Sequence, residues 1–259
     1  MAIDREILVS LHGRRLGLTK DGNLVCDEKL MAPNGNAPAQ SVVWYDDFLG
    51  DALGSPYNFQ EGTDSGTSDA AINVQKGGVV RITTGDSATH TMAGNGAQLD
   101  LGALNWYASN GGLAMETRVK LDGITDVALF IGFTDQTSAL EMPWDLSVVT
   151  YTSNQSDGCG FLFDTAATTD TIRCVGVKNN TDATLTDTGL AYVAATWMKL
   201  RIEVDTAGIA KFFIDGVLVA TMADALTTTV ALVPVFAIYS SATASVLLDV
   251  DYLHVKMDR

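Results

Sequence analysis

Glutamate, histidine and cysteine are scarce in this chain of 259 residues, and each shortage narrows the chemistry open to it. The three cysteines are an odd number without CxxC spacing, which predicts reduced thiols rather than a disulfide framework or a metal site. No run approaches the 18 apolar residues of a membrane helix. The start MAIDREILVSLHGRR opens with acids and lacks a long apolar core, so it does not predict a secretory signal. We therefore expect a protein made in a cytoplasm.

Basic residues are also few, with 16 Lys and Arg against 31 Asp and Glu and a formal net charge of −15. Such a chain repels the phosphates of nucleic acids and anionic membranes, so we expect neither as a partner. Residues 1–30 hold five bases and five acids, which leaves residues 31–259 with the whole net charge.

What the chain has in abundance is alternation. In LAMETRVKL (113–121) and MKLRIEV (198–204), apolar residues alternate with charged ones, which predicts strands with one buried face. The segment 126–134 is apolar on both faces and predicts a central, covered strand. Asp215-Gly216 predicts a tight two-residue turn before a strand over 217–222. Further predicted strands cover 78–84, 147–151, 160–164, 171–177, 230–239 and 244–257, the last with a bulge or a change of covering layer near Tyr252.

The first forty residues form a separate segment. The segments ILVSL and RRLGLT, followed by a Lys20-Asp21-Gly22 turn and NLVC, predict a small hairpin, and MAPNGNAPAQ is typical of a linker. We interpret residues 1–40 as an N-terminal arm with its linker and residues 41–259 as the globular body. The arm residues expected to bind a partner, by adding a strand to its sheet edge, are Ile7, Val9, Leu11, Arg14, Arg15 and Leu16. The alternative is that the apolar members pack on the protein's own body.

The body resembles the concanavalin A-like jelly-roll domains, a family that includes laminin-G-like and glucanase-like members. The resemblance lies in VVWYDDFLG…YNFQEGT, in TWMKLRIEVDTAGIAKFFIDGVLVAT and in the closing LLDVDYLHVKM, and it covers residues 41–259. It implies an all-β, two-sheet antiparallel sandwich, but this architecture serves lectins, glycosidases, adhesion modules and virion proteins alike. The arm LHGRRLGLTKDGNLV, together with METRVKLDGITDVALFIGFTDQ and GFLFDT, is similar to structural proteins of tailed bacteriophages, some of which decorate or cement the head.

The catalytic residues of the family's glucanases have no counterparts in this sequence. These glucanases place an E-x-D-x-x-E motif on one strand so that nucleophile and acid face the sugar. The sole E-x-D here is Glu203-Val204-Asp205, and the second glutamate falls at Gly208. No histidine or cysteine lies in the setting of a nucleophilic triad. We therefore predict no catalytic residue and no cofactor, and calcium has only weak support because no D-x-D-x-D-G spacing occurs.

The resemblance thus implies a non-enzymatic capsid decoration or cement protein at the virion surface. Its expected partners are the major capsid protein or another virion protein and further copies of itself. One alternative is a carbohydrate-binding module of a tail fibre or adhesin, in which Trp106, Tyr107 and Trp144 stack on a glycan and Asp135 or Asp145 accepts hydroxyl hydrogen bonds. A divergent glycosidase is the other. Against the lectin hypothesis, the favoured interpretation of the same rings is that they cap the open ends of the sandwich core, since tryptophan is usually largely buried.

Overall fold

A computed structural model describes residues 9–11, 14–18, 24–26, 41–50, 52–64, 66–71, 77–147 and 150–259. In chain order its strands are β1 (Val9–Leu11), β2 (Arg14–Leu18), β3 (Leu24–Cys26), β4 (Ser41–Asp46), β5 (Asn58–Glu61), β6 (Ser68–Ala71), β7 (Val80–Thr83), β8 (Ala97–Asp100), β9 (Leu113–Leu121), β10 (Val127–Thr134), β11 (Trp144–Ser147), β12 (Thr150–Ser153), β13 (Gly158–Asp164), β14 (Arg173–Lys178), β15 (Thr181–Asp182), β16 (Thr186–Asp187), β17 (Met198–Val204), β18 (Ala210–Ile214), β19 (Val217–Met222), β20 (Val233–Ser240) and β21 (Leu247–Asp258). The helices are α1 (Met92–Asn95) and a 3-10 turn at Ala108–Asn110. None of the described helices has the length and apolarity needed to cross a membrane.

The chain divides into two units, one of residues 1–42 with 258–259 and one of residues 43–257. In the first, β1, β2 and β3 form a three-stranded antiparallel sheet, and these strands lie within the three apolar segments from which the small hairpin was predicted. Ile7 and the predicted linker lie outside the described residues.

The second unit is a sandwich of two antiparallel sheets. Sheet 1 has the strand order β15-β14-β13-β10-β20-β8-β5, with β16 also paired to β14. Sheet 2 has the order β19-β18-β17-β9-β21-β7-β6, with β4 also paired to β21. The sheets pack face to face through rings such as Phe161 of β13 and Phe212 of β18, whose centroids lie 5.4 Å apart. The predicted two-sheet sandwich is confirmed.

Local patterns account for the best-defined elements. Strand β10 is buried along its whole length between β13 and β20, as its two apolar faces predict. Asp215 (φ 49°) and Gly216 (φ 82°) take the left-handed conformations of the predicted tight turn. In β21 the pairing with β9 shifts between Val250 and Tyr252, which is the predicted bulge.

One predicted strand is wrong. Residues 147–151 were expected to be continuous, but β11 ends at Ser147 and β12 begins at Thr150, and the two strands pair with each other as a hairpin. A short run of Ser, Val and Thr has strand character on either side of a turn, and the alternation alone does not locate the reversal.

Candidate functional site

The outer face of sheet 1 is covered by the protein itself. The β11–β12 hairpin and the segment before it lie over this face, and Trp144, only 2% exposed, stacks on Phe130 with ring centroids 5.1 Å apart. Together with neighbouring side chains they form a second core, whose buried members are Met92, Ala128, Phe130, Met142, Trp144, Leu162, Val175, Val177, Val235 and Ala237. Among the described residues, this packing fills the face over β10, β13 and β14 and leaves beside it a pocket of about 250 Å³ lined by His90, Leu140, Glu141 and Tyr239.

The indole rings predicted to stack on sugars are both inside the molecule. Trp106 is 6% exposed, and its backbone bridges to Leu232. Since neither Trp106 nor Trp144 presents a ring face to solvent, the predicted stacking at these two positions is wrong, and the alternative interpretation of core-capping rings describes them better. Tyr107 is partly exposed, and its backbone N–H donates to the sulfur of Met257.

The aspartates proposed to accept sugar hydroxyls have different settings. Asp135 accepts hydrogen bonds from the backbone N–H and the hydroxyl of Ser156, so it joins two loops. The side chain of Asp145 lies outside the described residues.

The only E-x-D sequence does not build a catalytic pair. Glu203 lies on the outer face of sheet 2, where the guanidinium of Arg201 approaches it to 3.2 Å. Asp205 ends the strand and accepts hydrogen bonds from the backbone N–H groups of Ala207 and Ile209, which closes the following turn. One carboxylate is thus ion-paired and the other stabilises a turn.

The same outer face of sheet 2 carries acidic, basic and aromatic side chains. Cross-strand pairing lines up its side chains in rows: Lys211, Glu203, Ala114 and Lys256 form one, and Phe213, Arg201, Glu116 and His254 form the next. We call this surface the charged face, defined by these eight residues with Tyr252 and Tyr45. A shallow pocket of about 290 Å³ opens at the first row, above Ala114 and between Lys211 and Lys256.

Aromatic side chains border the charged face on the β4 side. The ring of Tyr45 is 61% exposed and lies 6.2 Å from the ring of Tyr252 and 6.0 Å from that of His254. The Tyr252 hydroxyl donates to Glu116 at 2.8 Å. Burial and this acceptor carboxylate raise the pKa of Tyr252, so its hydroxyl stays protonated as a donor.

A buried ion cluster lies further along sheet 2. Asp249, 1% exposed, accepts two hydrogen bonds from Arg81, at 2.7 and 3.0 Å, and pairs with Lys120 at 2.9 Å. Burial alone would raise the pKa of Asp249, but the hydrogen bonds from Arg81 and Lys120 outweigh it and lower the pKa. With its charge satisfied on both sides, Asp249 is a structural group.

A second buried carboxylate lies at the end of β13. Burial raises the pKa of Asp164 to about 6, although the backbone N–H of Ala166 donates to it at 2.7 Å. Its neighbour Arg173 is engaged elsewhere, because its guanidinium donates to Thr169 and Thr171 and lies over the ring of Tyr151. Asp164 has the pKa of a general acid, but the described residues provide no nucleophile and no open cleft beside it.

Cys159 on β13 and Cys174 on β14, two cysteines whose side chains the structure describes, are buried between the sheets on adjacent strands. Burial raises the pKa of Cys174 to about 12 and that of Cys159 well above its ordinary range. These thiols are small core residues rather than nucleophiles. Within the described part of the chain, no group of three or more His, Cys, Asp or Glu side chains is arranged to hold a metal ion.

The predicted arm residues are placed only by their backbone. Val9 and Leu11 lie on β1 and Arg14, Arg15 and Leu16 on β2, with Val9 paired to Leu16 and Leu11 to Arg14. Ile7 is outside the described residues.

Comparison of the whole structure with solved structures reveals clear likenesses. A β-glucanase of Bacillus licheniformis superposes with a TM-score of 0.58 at 11% identity, over 84% of this chain and 98% of that one. The carbohydrate recognition domain of Emp47p gives a TM-score of 0.54 at 12% identity, over 90% and 98%. Peanut lectin gives a TM-score of 0.51 at 13% identity, over 84% and 97%.

The fold is the concanavalin A-like jelly roll. No protein-family model matches the sequence, and no curated protein does either. Identities this low establish the architecture alone, and a jelly roll hosts both enzymes and binding proteins. Function therefore depends on what this chain's own surfaces present.

Proposed function

We propose that this protein is a non-enzymatic structural protein of a phage virion, attached to the capsid lattice through residues 1–40 with the jelly roll held outward. The observation that carries the proposal is the division of the chain into a small N-terminal sheet and a separate jelly roll. With strands of three, five and three residues, the N-terminal sheet is small, and we expect it to pack on a partner surface. A capsid lattice supplies such a surface many times over, so that a modest contact per copy becomes tight attachment.

The absence of a catalytic arrangement in the described residues supports a structural role. Glu203 is ion-paired, Asp205 closes a turn, and the outer face of sheet 1 is covered by the β11–β12 hairpin. A glycosidase needs two carboxyl groups about 5–10 Å apart across an open site. Here Glu203 is held by Arg201, and Asp205 is held by the backbone N–H groups of its own turn.

The test uses particles assembled with variant chains. Deletion of residues 1–40 and the double reversal Arg14→Glu with Arg15→Glu are each expected to lower the copies per particle, counted by quantitative mass spectrometry. Reversal of Lys211, an exposed lysine of the jelly roll, to Glu is a control for charge reversal outside the arm and is expected to leave the count unchanged. A full complement of protein on particles made with the deleted chain would refute the proposal.

Glycan binding is a second candidate function. It is favoured by the exposed ring of Tyr45, which lies beside the hydrogen-bonding groups of the charged face. An exposed ring next to carboxylate, imidazole and guanidinium groups offers a pyranose both stacking and hydroxyl partners. The informative variant is Tyr45→Ala, with Val193→Ala as an exposed control on a loop. Loss of glycan-array binding in the first variant alone supports this candidate, and a blank array with the unaltered protein removes it.

A further inference from the structure

The basic residues that follow the arm are concentrated on one side of the jelly roll. Without the five bases and five acids of residues 1–30, the chain holds 11 Lys and Arg and 26 Asp and Glu. Seven of these 11 bases lie on the outer face of sheet 2, and they are Arg81, Arg118, Lys120, Lys199, Arg201, Lys211 and Lys256. A strongly acidic protein therefore carries a locally basic surface, and such a surface attracts anionic ligands.

Four of these bases follow one another across three strands. Arg118 of β9 lies opposite Lys199 of β17, and Arg201 is the next residue of β17 on the same face. Lys211 of β18 lies opposite Glu203, which follows Arg201 on that face. We call Arg118, Lys199, Arg201 and Lys211 the basic path. Strand geometry places each of its bases about 5–8 Å from the next.

The two lysines of the basic path are available to a ligand. Lys211 is exposed and Lys199 is partly exposed. Within the part of the chain that the structure describes, neither ammonium group has an ion pair. An anion that binds here therefore does not have to displace a carboxylate of the protein from either lysine.

The two arginines of the basic path are held in place by aromatic rings. The guanidinium carbon of Arg118 lies 4.9 Å from the centroid of the Trp197 ring, and that of Arg201 lies 4.1 Å from the centroid of the Phe213 ring. The Arg118 and Arg201 side chains are nonetheless 44% and 36% exposed. A guanidinium that is already oriented loses less conformational freedom when it binds a carboxylate.

A row of regularly spaced bases suits a linear polymer with an anionic group on every unit. Sugars fit it better than nucleotides, because Glu116 lies opposite Arg201 and Glu203 lies opposite Lys211. These carboxylates accept hydrogen bonds from sugar hydroxyls but repel phosphates. The exposed ring of Tyr45 lies at the other end, beside Tyr252, which is paired with Arg118. A sugar ring could stack there.

We infer that the outer face of sheet 2 binds a linear polyuronate along the basic path. Its carboxylates pair with the four bases, and its hydroxyls donate to Glu116 and Glu203. The inference rests on the second candidate function, glycan binding, and adds the class of glycan. It does not depend on the virion role.

The experiment is calorimetric titration of the purified full chain with oligomers of galacturonate. We expect binding that weakens as the salt concentration rises, because the pairs are exposed to solvent. Fully methyl-esterified oligomers of the same length keep the hydroxyls and lose the charge, so their Kd is expected to be at least about tenfold higher. Single-stranded DNA of equal charge is expected to bind as weakly as the esterified oligomers.

Variants place the site. Lys199→Glu and Lys211→Glu are each expected to raise the Kd for galacturonate oligomers by at least about fivefold, because an attraction becomes a repulsion. Lys199→Arg keeps the charge and is expected to bind like the unaltered protein. The matched control is Lys178→Glu, the same reversal at a lysine of sheet 1 that is 41% exposed, and it is expected to leave the Kd unchanged.

The failures of the two hypotheses are distinguishable. Binding of neutral glycans without binding of galacturonate oligomers would overturn the inference and leave glycan binding standing, whereas a protein that binds neither would overturn both. Equal binding of esterified oligomers or of DNA, or binding indifferent to Lys199→Glu, would also overturn the inference. Self-association of the chain that is lost in Lys199→Glu would assign this face to another copy instead.

Discussion

The buried carboxylate of Asp249 offers the sharpest test of how the jelly roll is held together. Asp249→Asn keeps the shape of the side chain but leaves Arg81 and Lys120 without their shared anion. Breaking a buried ion pair by removing one partner costs roughly 3–5 kcal/mol. The Arg81 and Lys120 side chains are 35% and 17% exposed, so water recovers part of this loss. We therefore expect the free energy of unfolding to fall by about 2–3 kcal/mol.

That change is large enough to measure by thermal or urea unfolding at pH 7, where it corresponds to a fall in Tm of roughly 4–12 °C for a domain of this size. The matched control is Asp251→Asn, two residues along the same strand. Its partner Arg118 is 44% exposed, so the expected loss is below about 1 kcal/mol.

The pH dependence gives a second measure of the same group. The pKa of Asp249 is lower in the folded protein than in the unfolded chain, so its contribution is fully present above about pH 4 and is lost as the pH falls through the folded value. The difference in stability between the unaltered protein and Asp249→Asn is therefore expected to shrink below pH 4. If the two Asn variants proved equally stable at pH 7, the stabilising role assigned to Asp249 would be wrong.

Three further predictions concern the fold. Gly160→Ala places a methyl group about 2.4 Å from the ring of Phe130. Because the core there is covered on both sides, we expect the free energy of unfolding in urea to fall by about 1–3 kcal/mol. An unchanged midpoint would contradict the packing described. Asp164→Asn is expected to stabilise the protein by about 2 kcal/mol at pH 7 but not at pH 4. The reason is that the pKa of Asp164 is raised to about 6 in the folded protein, so its ionisation between those pH values opposes folding. Equal effects of the substitution at both pH values would exclude this cause. Gly216→Ala has open space around it but forces a side chain into φ 82°, so a loss of about 1 kcal/mol is expected, and a neutral result would show that the turn adopts another conformation.

The elements that could be predicted from the sequence are those governed by local chemistry. Asp215-Gly216 determines its turn because few residues tolerate two consecutive positive φ angles. The change of parity around Tyr252 predicts a bulge or a change of covering layer, since side chains in a strand alternate strictly between faces, and the structure has the bulge. The double-sided apolarity of residues 126–134 likewise requires cover on both faces.

What could not be predicted depends on long-range placement. Trp106 and Trp144 lie in segments of loop character, and only the fold of the β11–β12 hairpin back over sheet 1 shows that Trp144 belongs to a core. Asp249 alternates with apolar residues as an exposed residue would, but Arg81 and Lys120 come from strands far away in sequence. The charged face likewise assembles from β9, β17, β18 and β21, whose order in the sheet differs from their order in the chain.

The placement of Cys159 and Cys174 between the two sheets has a practical consequence. An alkylating reagent reaches these sulfurs only when β13 and β14 separate from sheet 2. The rate at which each thiol is modified therefore reports how often the jelly roll opens transiently. Mass spectrometry of the peptides that contain each cysteine would therefore measure how often the native jelly roll opens, without any substitution in the chain.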